Sequence, residues 1–108
     1  MKYCHENIHG GCWLEFQKGD FSQNLFWLDS SLYLHDDTAI ELSLLEFFFE
    51  VIPHFAHYGS TTITQAQWER VIKAGTTLNP ESRAALAEID QWARECFQTH
   101  DRFTILGI

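Results

Sequence analysis

The sequence predicts an α+β fold: a small single domain, residues 1–108, with short N-terminal antiparallel strands, three helices and a C-terminal strand. Three observations carry that expectation. Apolar, β-favourable runs broken by Gly, Asp and Ser crowd the first third of the chain. Two later stretches open with full helix-start signals and continue at helical spacing. The last residues form an apolar run of strand length that needs a sheet to cover it. With 108 residues, 45% of them hydrophobic and 15% aromatic, there is material for one core and too little for two.

Residues 1–10 are polar and mixed, and predict a short strand or an ordered arm that ends at the turn signal Gly10-Gly11. Cys-Trp-Leu-Glu-Phe at 12–16 reads as a strand, closed by Lys18-Gly19-Asp20. Leu-Phe-Trp-Leu at 25–28 and Ser-Leu-Tyr-Leu at 31–34 are further extended runs, separated by Asp29-Ser30. The first helix is expected over residues 36–52. At about 100° per residue, Ile40, Leu44, Leu45, Phe47, Phe48, Val51 and Ile52 share one face, and Ser43, Glu46 and Glu50 form a narrow stripe opposite. Thr38-x-x-Glu41 reads as its capping box, and Asp36 and Asp37 place negative charge at the positive end of the helix dipole. Pro53 stops it.

Phe55-Ala-His-Tyr58 then leads into a turn at Gly59, and Thr61-Thr62-Ile63 is extended. Thr64-x-x-Gln67 is a capping box, with Ile63 and Trp68 in the two staple positions, so the second helix starts there; Gly75 closes it. After the connector Thr76-Thr77-Leu78, Asn79 supplies an N-cap, Pro80 the first helical position and Glu81 an acidic first turn. Ala85, Leu86, Ile89, Trp92, Ala93, Cys96 and Phe97 recur at three- and four-residue steps along this third helix, expected to end near His100-Asp101. Phe-Thr-Ile-Leu-Gly-Ile at 103–108 is the closing strand. Left at a sheet edge, it would pair with another chain and make this protein a subunit of an assembly.

The net charge of −8 is unevenly placed. No lysine or arginine lies between Lys18 and Arg70, an interval holding eight acids: Asp20, Asp29, Asp36, Asp37, Glu41, Glu46, Glu50 and Glu69. Such a half-chain repels nucleic acid and anionic membrane and favours a basic partner, although scattered acids that only keep an aromatic-rich domain soluble would read the same way. Three cysteines at irregular spacing make no disulfide framework, and the first residues lack the apolar run of a secretory signal. The longest apolar stretch is interrupted by Glu46 and Glu50 and is too short for a bilayer. A cytoplasmic monomer or weak dimer is expected.

Cys4, His5, His9 and Cys12 are zinc-ligand types, which keeps open a metal- or small-molecule-binding domain, but their spacing matches no pair of ligand knuckles. His54-x-x-His57 with Asp36 or Asp37 could form a two-histidine, one-carboxylate site; two surface loop histidines are the simpler reading. No nucleophile elbow, phosphate loop, dinucleotide fingerprint or zinc-protease helix occurs, so neither an enzyme nor a cofactor is expected. What remains is a surface. The stripe Ser43, Glu46, Glu50 has Leu42 and Phe49 on its flank, and Trp27, Tyr33 and Tyr58 are near in the chain. Carboxylates speed encounter with a basic protein and aromatics anchor it. Asp29, Asp36, Asp37, Glu46, Glu50 and Tyr58 are therefore the candidate partner-binding residues, with Trp27 and Tyr33 readable equally as strand core.

Asp29-Ser-Ser-Leu-Tyr-Leu34, the acidic start of a hydrophobic helix, His57-Tyr-Gly59, Ile63, Trp68 and the closing Phe-Thr-Ile-Leu-Gly-Ile at 103–108 together resemble small bacterial immunity proteins. Proteins of that kind accompany polymorphic or contact-dependent growth-inhibition toxins. The resemblance runs over residues 29–108 and implies a cytoplasmic, non-catalytic protein that binds one cognate toxin domain tightly. Such toxins are often nucleases with basic clefts, which suits an acid-only half-chain. It supplies no binding motif to transfer residue by residue.

Overall fold

The computed structural model describes residues 13–21 and 28–107. Alternation of apolar and polar residues gives strands, and here it gives four: β1 (Trp13–Lys18), β2 (Leu32–His35), β3 (Ser60–Thr64) and β4 (Arg102–Gly107). They pair antiparallel in the order β2-β1-β4-β3. Register puts Leu14 opposite Leu34, Phe16 opposite both Leu32 and Ile105, and Ile63 opposite Phe103, so one face of the sheet is continuously apolar. The helices cover that face, and all seven of these side chains belong to the core with them. The α+β arrangement with strands toward both ends is as expected. The closing strand, however, is no edge. β4 is bonded to β1 on one side and β3 on the other, which leaves it no free ladder for a second chain.

The opposite face is buried too, but it is polar: Glu15, Gln17, Tyr33 and Thr104 lie there with Trp13 and Leu106. Oε2 of Glu15 accepts from the Ser31 hydroxyl at 2.7 Å and the Leu28 N–H at 3.0 Å. The Tyr33 hydroxyl donates to the Leu28 carbonyl, with the same Glu15 oxygen at 3.4 Å. Burial first, and the Glu15 carboxylate second, push the Tyr33 phenol well above its ordinary value. Tyr33 is thus core, not an exposed aromatic.

The first helix departs most from expectation. It is two helices, α1 (Asp36–Glu41) and α2 (Leu44–Val51). His35, not Thr38, is the N-cap of α1: its Nδ1 accepts from the Asp37 N–H at 3.0 Å. The Asp37 carboxylate lies 3.8 Å from the same nitrogen. Thr38 lies inside the helix, so the expected Thr38–Glu41 box does not form. Between the helices Ser43 is left-handed at φ 56, which costs about 1–2 kcal/mol for a residue with a Cβ. The Ser82 hydroxyl, arriving from forty residues away in the chain, donates to the Leu42 carbonyl at 2.5 Å and takes an acceptor that a continuous helix would have used. The break turns Ile40 away from the core and out to solvent, while Leu44, Phe47 and Phe48 stay in.

The remaining helices follow their local signals. Thr64 and Gln67 make both bonds of the capping box at the start of α3 (Gln65–Ala74), at 3.3 and 2.9 Å. Trp68 and Val71 are buried, and Gly75 follows as C-cap at the head of a 3₁₀ turn (Gly75–Thr77). Asn79 caps α4 (Pro80–Cys96) through the Ser82 N–H at 2.9 Å, and every member of the expected apolar stripe up to Cys96 is buried. α4 stops at Cys96, a few residues earlier than expected, because 97–99 form turns that swing the chain into β4. Trp68 donates to Asp90 at 2.9 Å and Trp92 to the Ser30 carbonyl at 3.0 Å, tying α3 to α4 and α4 to the connection between β1 and β2. Among the described residues no helix is long and apolar enough to cross a membrane.

Candidate partner-binding surface

Three consecutive phenylalanines on one helix cannot all face a core, because about 100° per residue spreads them over 200°. Phe47 and Phe48 take the inside of α2, and Phe49 is left half exposed. Ile40, turned outward by the break, is 60% exposed beside it. With Leu45 these side chains floor a shallow groove of about 420 Å³, whose remaining wall is Ser43, Glu46 and Glu50. Glu41, Glu46 and Glu50 are exposed and take part in no ion pair among the described residues.

The apolar surface continues past the groove. The Phe49 ring meets the Phe55 ring edge-on at 4.9 Å and the His57 ring edge-on at 6.3 Å; His57 in turn stacks on Tyr58 at 4.2 Å. Tyr58 is 75% exposed, the highest of the large apolar and aromatic residues described. His57 is no free loop histidine. Its Nε2 and the Asp36 Oδ2 are 3.0 Å apart, with both side chains largely buried. That bond ties the turn carrying Tyr58 to the first residue of α1. The other Asp36 oxygen is buried without a partner among the described residues.

Glycine fixes the turn from below. A Cβ on Gly107 would lie 1.5 Å from the His57 carbonyl oxygen, so the end of β4 passes directly under the turn only because that position lacks a side chain. The Gly107 N–H donates to the Gly59 carbonyl at 3.0 Å and completes the seat.

Of the candidate residues, Asp36, Asp37, Glu46 and Glu50 lie on α1 and α2, and Tyr58 joins them through His57. Their roles differ. Glu46 and Glu50 point outward; Asp37 is exposed; Asp36 is spent on His57 and acts as a brace. Asp29 does not join them. It precedes β2 while Asp36 follows it, so the strand separates the two, and Asp29 borders a different hollow with Lys18, Gln91, Trp92 and Glu95. The acid-only half-chain accordingly divides: Asp20 lies 3.8 Å from Arg102, and Glu69 sits on α3. The surface also includes Ile40, Leu45 and His57, which spacing alone had not assigned to it.

The proposed histidine pair does not converge. His54 meets the Thr62 carbonyl at 2.9 Å while His57 meets Asp36, and no group of three metal-ligand side chains occurs among the described residues. Cys4, His5, His9, Cys12 and Trp27 lie outside the described residues. No protein-family model, curated protein or solved structure matches the chain.

Proposed function

We propose that this protein is an immunity-type inhibitor, cytoplasmic and non-catalytic, that neutralises a cognate toxin domain by holding a basic surface of it against the α1–α2 corner. The observation that carries the reading is that exposed Ile40 and Phe49 share a groove with Glu46 and Glu50, carboxylates in no ion pair among the described residues. Covering the half of those two side chains that now meets water contributes on the order of 2–3 kcal/mol. That is an anchor, and it is too little for tight binding without the charges and Tyr58. Carboxylates at the rim steer a cationic partner in and repel phosphate, so they compete with nucleic acid for the cleft of a nuclease-type toxin.

The test is neutralisation. The C-terminal domain of a secreted toxin encoded beside this protein, expressed in a sensitive cell, should arrest growth alone and not when this protein is co-expressed. Purified together, the two should elute as one complex. Arrest undiminished by co-expression, with the two proteins eluting separately, contradicts the reading.

A further inference from the structure

The chemistry of the groove goes further than naming a basic partner; it describes the element the partner inserts. Leu45 and Phe49 are four residues apart on α2, and so are Glu46 and Glu50, so the helix presents an apolar row and an acidic row side by side. All six lining residues come from residues 40–50, which makes the groove one flank of a helical corner and not an enclosed pocket. A small molecule there would leave most of its surface in water, whereas ligand sites bury most of theirs. The edge strands of the sheet, β2 and β3, do not line the groove, and on β3 the outward Thr62 carbonyl is taken by His54 and the Thr64 N–H by Gln67. What fits two parallel rows one helical turn in pitch is a second helix carrying the complementary rows.

We infer that the occupant is a basic amphipathic helix of the partner, laid along α2 with two large apolar side chains one turn apart on Leu45, Phe49 and Ile40. Lysines or arginines beside them face Glu46 and Glu50. α2 offers about 12 Å of length, enough for two turns of such a helix. This rests on the reading of the corner as the toxin-binding surface and adds the form of what binds there.

A synthetic helical peptide of roughly four turns, with two leucines one turn apart and a lysine following each, is titrated into the isotope-labelled protein and followed by amide NMR. Shifts should centre on Ile40, Leu45, Glu46, Phe49 and Glu50. Replacing the lysines of the peptide by glutamate, or introducing Phe49→Ser or Glu46→Lys with Glu50→Lys into the protein, should weaken binding tenfold or more. All three protein positions are exposed, so these variants keep the fold. No shifts at about millimolar peptide, shifts centred elsewhere, or equal binding of the glutamate peptide overturns the inference. Neutralisation of the toxin with a silent peptide removes the helix and leaves the inhibitor reading; a bound peptide with no neutralisation keeps the helix and removes the toxin.

Discussion

α2 and α4 pack on the same face of the sheet and differ in what they leave outside. α4 turns Leu86, Ile89, Trp92 and Cys96 inward and exposes Glu81, Arg83, Ala84, Ala87, Glu88, Gln91, Arg94 and Glu95, which are small or polar and of both charge signs. α2 is half as long, has no basic residue, and exposes a phenylalanine between two glutamates. The core does not need Phe49 outside; α4 shows that the same sheet is covered by a helix with an inert outer face. What α2 leaves outside is an aromatic with one sign of charge around it, the surface that the proposed toxin contact requires.

The comparison can be broken most sharply inside α2 itself. Phe48→Ala should cost about 3–5 kcal/mol in a denaturant midpoint measurement, since the side chain is wholly buried. Phe49→Ala, one residue along and half exposed, should cost about 1–2 kcal/mol and also weaken the toxin complex at least tenfold. Equal losses of stability from the two would mean that α2 has no outer face to speak of. Next in size, Ser82→Ala leaves the Leu42 carbonyl without its donor and should destabilise by roughly 1–3 kcal/mol. Its amide shifts should reach Leu42 and Ser43 on the corner, far from the mutation in sequence.

Two smaller effects sharpen the contrast between corner and sheet. The folded Tyr33 pKa is raised, so its contribution is present below the unfolded value and is lost as pH rises toward the folded one. The Tyr33 contribution to stability should therefore be level up to about pH 10 and fall beyond it, and Tyr33→Phe should remove that part of the fall. Ser43→Gly relieves the left-handed strain and adds backbone entropy to the unfolded chain, so the net gain should be below about 1 kcal/mol by thermal melt.

The same contrast explains what could be read from the chain. The caps at Thr64 and Asn79 bond within three residues, so their chemistry is written locally and both helix starts are where the sequence places them. The break at Ser43 depends on a hydroxyl from α4, and the Asp36–His57 brace spans twenty-one residues; neither leaves a local trace. The burial of Glu15 likewise comes from Leu28, Ser31 and Tyr33 meeting it across a pairing that alternation cannot specify. The stripe Ser43, Glu46 and Glu50, with Phe49 on its flank, was legible from helical spacing. Ile40 was not, since only the break exposes it.

The central claim is that Glu46 and Glu50 face the partner. Stopped-flow association with the cognate toxin domain, over a series of salt concentrations, measures this for the native protein and for Glu46→Lys with Glu50→Lys. The native rate should be high at low salt and fall steeply as salt rises, while the variant associates more slowly at low salt and with a nearly flat dependence, its fold intact. Identical rates and identical slopes for the two proteins would place the interface elsewhere on the molecule.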